Sequence, residues 1–215
     1  MKLNRSNIIC LALIGASLGV SAYVYPLMPE YVVSHWDAAG SPNGYMPRFW
    51  GVFLLPIIMI AAYLLLTFIP SIDPESENIE KFRSYYEWFI AVTMGFFLYL
   101  HILVLLWNLG FLFSFTQLLI PAFSLLIYSA GLMMRHTRHN WTIGIRTPWT
   151  LSSESVWNRT HKVGAVLFEI SAVVSLLGIF FPPAAMWLLI GPVVTAGILS
   201  VIYSYVLYRR EKKNS

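Results

Sequence analysis

The chain has 215 residues, 58% of them hydrophobic and only 11% charged, far from the roughly 25% charged residues of a soluble domain. Its net charge of +4 is carried by residues that flank apolar stretches, which marks a membrane surface and no nucleic-acid footprint. Lone Cys10 excludes an intrachain disulfide framework and a cysteine-built zinc site. Six stretches, 7–25, 50–69, 88–107, 111–134, 161–181 and 184–208, approach the roughly 20 residues a helix needs to cross hydrocarbon. With both termini in the cytoplasm, every one of the 14 Lys and Arg residues except Arg48 falls on the inner side. Basic loop residues resist translocation, so this asymmetry orients the chain and supports the span boundaries. The sequence predicts an all-α polytopic membrane protein of six transmembrane helices. A two-span N-terminal region (1–86) and a four-span region (87–215) share one bundle.

Lys2 and Arg5, the apolar run 8–13 and Val20-Ser21-Ala22 fit a cleavable signal peptide, but apolar character continues through Tyr23 and Val24, so a retained first span is expected. Segment 26–49 is the only sizeable outer loop. Its Gly, Pro and Asn residues predict turns with no regular structure, and Tyr31, Trp36, Tyr45 and Phe49 suit an interfacial lining. His35 and Asp37, two apart, have three readings: a loop-stabilising hydrogen bond, contact with an extracellular peptide, or a metal pair short of ligands.

The connection 70–86 is predicted to be helical, with Asp73 as an N-cap ahead of Pro74. Ser84-Tyr85-Tyr86-Glu87 reads as a capping box that opens the third span. Asn108-Leu109-Gly110 makes a tight hairpin of spans three and four, and Pro182-Pro183 turns five into six. In the long inner connection 135–162, Ser152 or Ser153 caps a helix that carries Val156, Trp157 and Thr160 on one side and runs straight into span five. Gly15, Ala16, Gly19 and Ala22 in span one, and Gly191, Ala196 and Gly197 in span six, predict close helix approach.

Three segments together resemble a known family. They are His35-Trp36-Asp37-Ala38-Ala39-Gly40 in the outer loop, Pro70-Ser71-Ile72-Asp73-Pro74 with Asn78, and Gly144-Ile145-Arg146-Thr147-Pro148-Trp149-Thr150 with Trp157 and His161. In this order, over nearly the whole chain, they resemble the SdpI-type membrane proteins. The N-terminal half is similar to a small domain of unknown function found in the same proteins. The resemblance implies immunity to a secreted, membrane-active killing peptide, without cofactor or enzymatic activity. For the family's founding member it also implies signalling through a cytoplasmic transcriptional repressor. The partners so implied are an extracellular peptide toxin, that repressor and membrane lipids. The residues so implied are His35, Trp36, Asp37 and Gly40 outside, and Arg146, Thr147, Pro148, Trp149, Trp157 and His161 inside.

Read from the residues alone, Arg146 either anchors the loop at headgroup depth, with Trp141 and Trp149, or belongs to a structured floor that binds a headgroup, a toxin's buried end or a regulator. His136 and His139 sit among arginines that repel a divalent cation, so headgroup contact outweighs metal binding. His101 and Glu169 are the deepest ionisable groups, about 20 Å and about 12 Å from the inner face at ~1.5 Å per residue. Such groups are costly in lipid. They belong either to structural hydrogen bonds or to a proton or substrate path, and the second reading makes the chain a small transporter or lipid-handling protein. No H-E-x-x-H, G-x-S-x-G or P-loop pattern is present.

Overall fold

A computed structural model describes residues 4–37 and 40–213 and the backbone of Asn214. Lys2, counted in the charge asymmetry, and Ala38 and Ala39, quoted from the outer loop, lie outside the described residues. The element order is α1 (Arg5–Val24), β1 (Tyr31–Trp36), β2 (Pro42–Pro47), α2 (Arg48–Ile72), α3 (Ser76–Glu80), α4 (Arg83–Asn108), α5 (Phe115–His136), α6 (Pro148–Leu151), α7 (Glu154–Leu176) and α8 (Ala185–Asn214). Six helices, α1, α2, α4, α5, α7 and α8, are long and apolar enough to cross a bilayer, at the predicted places. Asn4, Ser114 and Ser153 cap α1, α5 and α7 through their side chains, each accepting the N–H three residues on. Ser153 makes α7 begin seven residues before the predicted span, so Val156, Trp157 and Thr160 are buried on one face of a continuous helix.

Helix α4 is the seam of the bundle. It packs on α1 and α2 on one side and on α5 on the other, and α5, α7 and α8 complete the second group. Small side chains hold these helices together, but not at the predicted glycines. A Cβ on Gly15, Gly19, Gly191 or Gly197 would meet nothing within 4 Å. The buried small residues at these helix contacts are instead Gly131 and Gly164, serines and alanines such as Ser17, Ser21, Ser171, Ser175, Ser200, Ser204, Ala165 and Ala172, and, of those predicted, Ala196. Several satisfy their own hydroxyls, as Ser175 does on Ser171 O at 2.8 Å and Ser200 on Ala196 O at 2.7 Å.

Helix α2 contains Pro56 and Pro70. Proline has no N–H, so each frees the carbonyl four residues earlier, a costly vacancy in hydrocarbon. Both vacancies are filled from α1 or α4. Val52 O accepts from His101 Nε2–H at 3.1 Å and from the Ser21 hydroxyl at 3.0 Å. Leu66 O accepts from the Tyr86 hydroxyl at 2.7 Å.

The outer loop is regular where turns were predicted. Tyr31–Trp36 and Pro42–Pro47 form an antiparallel hairpin with bulges around His35. Val32 and Val33 are buried, Tyr31 is exposed, and such β-branched and aromatic residues suit a half-buried strand. Asn108, at the end of α4, pairs with the hairpin as a third strand would. Its Oδ1 accepts from Val33 N at 2.7 Å and its Nδ2 donates to Val33 O at 3.0 Å. Gly51 lets the hairpin lie on α2, since a Cβ there would fall 1.6 Å from Val32 Cγ2.

Two predicted caps have other work. Asp73 ends α2, and no side chain caps α3. Its carboxylate accepts from Glu75 N at 2.8 Å, Trp141 N at 3.0 Å and the Thr142 hydroxyl at 2.6 Å. Glu87 caps nothing, because α4 already starts at Arg83. It accepts from Asn4 Nδ2 at 2.6 Å and lies 3.4 Å from Arg83.

Candidate functional site

The predicted site residues divide between the two ends of the bundle. At the hairpin end, a cavity of about 330 Å³ lies beneath β1, walled by α2, α4 and α5 and reached by Met186. His35, Trp36 and Asp37 line one side, and apolar residues such as Leu54, Leu100 and Leu119 line the other. Trp36 stacks on Phe115 at 3.8 Å and meets Trp107 edge-on at 5.8 Å. Its indole N–H is buried and has no acceptor among the described residues. His35 Nδ1 is hydrogen-bonded to Asn43, and Asp37 Oδ1 accepts from Ser41 N at 2.9 Å. Gly40, with φ +83°, closes the turn by donating to Asp37 O. The loop-stabilising reading of His35 and Asp37 therefore holds, and the same residues also face a cavity.

At the opposite end, segment 137–153 folds into a compact latch. Asn140 is fully buried and fully bonded: Nδ2 donates to Arg138 O and Ile143 O, and Oδ1 accepts from Thr142 N and Ile143 N. Thr147 and Thr150 form a reciprocal capping box at the start of α6, with Pro148 in its first turn. The latch is tied to the rest of the molecule at long range. Asp73 and Asn78 hold Trp141, Thr142 and His139 O, Thr147 Oγ1 meets Ser204 Oγ at 3.1 Å, and Ser153 donates to Glu211 at 2.7 Å.

Two histidines with opposite hydrogen-bonding demands flank buried Trp157. His139 Nδ1 bonds Glu75 at 2.8 Å and Nε2 bonds Leu151 O at 3.1 Å. Both partners are acceptors, so only the doubly protonated ring satisfies both bonds. Burial works against that charge, but the Glu75 carboxylate and Leu151 carbonyl outweigh it and raise the His139 pKa. The hydrogen bond from His139 lowers Glu75 in turn. His161 differs: Nδ1–H donates to Trp157 O at 2.9 Å and Nε2 accepts Ile145 N–H at 2.9 Å, an arrangement only the neutral ring can make. The Trp157 ring lies 5.1 Å from His139 and 4.0 Å from His161. Gly144, at φ +117°, leaves the room His161 needs, since a Cβ there would fall 2.4 Å from Nε2.

Thr147, Pro148, Trp157 and His161 thus form one unit. Arg146 sits on its surface, exposed and donating to Trp141 O at 3.2 Å, while Trp149 packs on Tyr205. His101 and Glu169 do not meet. His101 is buried, with Nδ1 2.7 Å from the Ser17 hydroxyl and Nε2 on Val52 O. Glu169 forms a two-pronged ion pair with Arg135. The sequence reading missed Asp73, Glu75, Asn78, Asn140 and Ser204 as latch ties. Asp73 and Asn78 stood in the motif that carried the resemblance, and Pro56 pointed to a freed carbonyl that His101 would answer.

A six-helix, multi-pass membrane protein, with a hairpin-covered cavity at one end and a histidine-buttressed latch at the other, is the class this fold defines. Residues 136–204 match the SdpI/YfhL protein family and residues 12–60 match a domain of unknown function, DUF1648. The chain is thus a multi-pass protein of the plasma membrane that is similar to the SdpI/YfhL family. It is 23% identical over 207 residues to "Immunity protein SdpI" of Bacillus subtilis (strain 168), covering 96% of this chain and 97% of that one. No solved structure matches it. The first match takes in the latch, the whole of α7 and Ser204; the second takes in Ser17, Ser21, Val52 and Pro56.

Proposed function

We propose that this chain is an immunity protein that captures a membrane-active peptide at the hairpin end and keeps it from permeabilising the bilayer. The similarity to an immunity protein along nearly its full length supports the class. The observation that supports the mechanism is the apolar cavity under His35, Trp36 and Asp37, which an outward-facing hairpin would offer to a peptide entering the outer leaflet. An apolar side chain would fill the cavity, and the unpartnered Trp36 indole N–H would donate to a peptide carbonyl, compensating its loss of water. In this reading the hairpin faces outward and both termini lie in the cytoplasm, as the placement of the basic residues favours. Arg146, with exposed Trp141 beside it, then offers the latch surface to a cytoplasmic partner, for which a transcriptional repressor is the family's precedent.

The test is membrane potential, followed with a voltage-sensitive dye in sensitive bacteria challenged with the family's killing peptide. Cells expressing the chain should hold their potential, and a Trp36→Ala variant of equal membrane abundance should lose it. Protection by Trp36→Ala equal to that of the parent protein would remove the cavity from the mechanism. The transporter reading gains nothing from the geometry: His101 answers a proline-freed carbonyl and Glu169 answers Arg135, in different helix groups.

A further inference from the structure

At the edge of the latch, sharing its Thr137, Arg138 and His161, is a second concave site that the immunity reading does not use. It has a volume of about 350 Å³ and draws its walls from the α3–α4 junction, the end of α5 and the start of α7. Lys81, Arg135, Arg138 and Lys162 all line it, together with His136, and no carboxylate does. Two of these cations are already engaged, Arg135 with Glu169 and Lys81 with Asn78 Oδ1 at 2.7 Å. Arg138 and Lys162 are exposed, and neither has an acidic partner among the described residues. Tyr85 and His136, stacked at 3.5 Å, give the site a rigid wall. The basic tail of α8 is a useful contrast. Arg209, Arg210, Lys212 and Lys213 all come from one helix, with no opposing wall, as a plain anchoring stripe does.

We propose that this basic pocket binds a phosphoryl anion, and that its source is the headgroup of an anionic phospholipid. The phosphoryl part follows from the lining: two uncommitted cations converge from separate elements, with further donors beside them and nothing repulsive among them. The lipid source follows from what lies along α7. Val166, Ile170 and Val173 succeed Lys162 at helical spacing and are exposed, forming an apolar stripe that runs from the pocket towards the middle of the span. A headgroup at Arg138 and Lys162 would lay its acyl chains along that stripe. A free phosphate would use the pocket alone. His139 takes no part, because it is spent on Glu75.

The experiment is native mass spectrometry of the purified full chain, with phosphatidylglycerol, phosphatidylcholine or inorganic phosphate added as the probe. The parent protein should retain phosphatidylglycerol over phosphatidylcholine. Arg138→Gln/Lys162→Gln should weaken that retention by about twenty-five-fold, at roughly fivefold per basic residue at an anionic surface. Arg209→Gln/Arg210→Gln, an equal charge change outside the pocket, should leave most of it. Thermal melting of each variant in detergent, together with its elution profile, confirms that it is folded. Equal losses in both double variants, or equal retention of the two lipids, would overturn the proposal. Retention of inorganic phosphate alone would keep the phosphoryl site and overturn the lipid source.

Discussion

Replacing Gly144 by alanine should open the latch without unfolding the helices. The new Cβ would lie 2.4 Å from His161 Nε2, and the backbone there has φ +117°, a conformation that L-residues rarely adopt. The backbone strain costs about 1–2 kcal/mol. Displacing His161 also breaks its hydrogen bond from Ile145 N, leaving a donor and an acceptor unpaired at about 1–3 kcal/mol. The total, roughly 2–5 kcal/mol, raises the population of the open latch by at least about thirty-fold, at ~1.4 kcal/mol per decade. Hydrogen exchange by mass spectrometry, in lipid nanodiscs, reads this directly. Amides of Ile143, Ile145, Thr147 and Thr150, each bonded to a side chain, should exchange faster, while those in the middle of α7 keep their rates. Gly110→Ala is the control for strain alone: φ is +97° there, but nothing lies within 4 Å of the new Cβ and the site is at the other end of the bundle. Unchanged exchange at Ile145 in Gly144→Ala would refute the reasoning.

The His139–Glu75 pair should make latch protection depend on pH. The raised His139 pKa stabilises fully below its ordinary 6.5 and is lost as pH rises through the folded value. The lowered Glu75 pKa stabilises above its ordinary 4.5 and is lost as pH falls through the folded value. The contribution is therefore greatest between about pH 4.5 and 6.5. Because Glu75 is one-third exposed, it amounts to no more than about 1 kcal/mol. Exchange rates at Trp141 and Thr142, corrected for intrinsic chemistry, should show this window in the parent protein and lose it in Glu75→Gln. Ser17→Ala should strip His101 Nδ1 of its donor and cost about 1–2 kcal/mol, visible as a lower melting temperature in detergent. An unshifted melt would mean that His101 finds another partner. Glu169→Gln should leave protection in the membrane-potential assay intact, and loss of protection at equal abundance would return Glu169 to the mechanism.

The six spans were legible because hydropathy and length are set by the bilayer, and the start of α7 was legible because Ser153 and Glu154 form a local signal. What sequence reasoning missed was non-local. Asp73-Pro74 carries the local chemistry of a helix start, yet the carboxylate is used 68 residues on, at Trp141. Ser84 and Glu87 had the spacing of a capping box, but Asn4 lies 83 residues back along the chain and claims Glu87. The hairpin was hidden by Pro42, Asn43 and Gly44, which read as turn residues although Tyr31–Trp36 before them has strand composition. For the candidate site, Gly144, Pro148, Trp157 and His161 stood within one short, constrained stretch, so the latch could be anticipated as a unit. Its ties to Asn78 and Ser204 could not.

The two prolines of α2 bear on how the protein is made. A newly synthesised α2 alone in lipid would expose the carbonyls of Val52 and Leu66, each unsatisfied group costing several kcal/mol. Their donors arrive on α4, at His101 and Tyr86, with only Ser21 supplied earlier by α1. The helix that leaves the ribosome second is thus completed by the one that leaves third. Until α4 docks between the α1–α2 pair and α5, Leu66 O has no donor and Val52 O has only Ser21, so the backbone of α2 is complete only once the third span is in place.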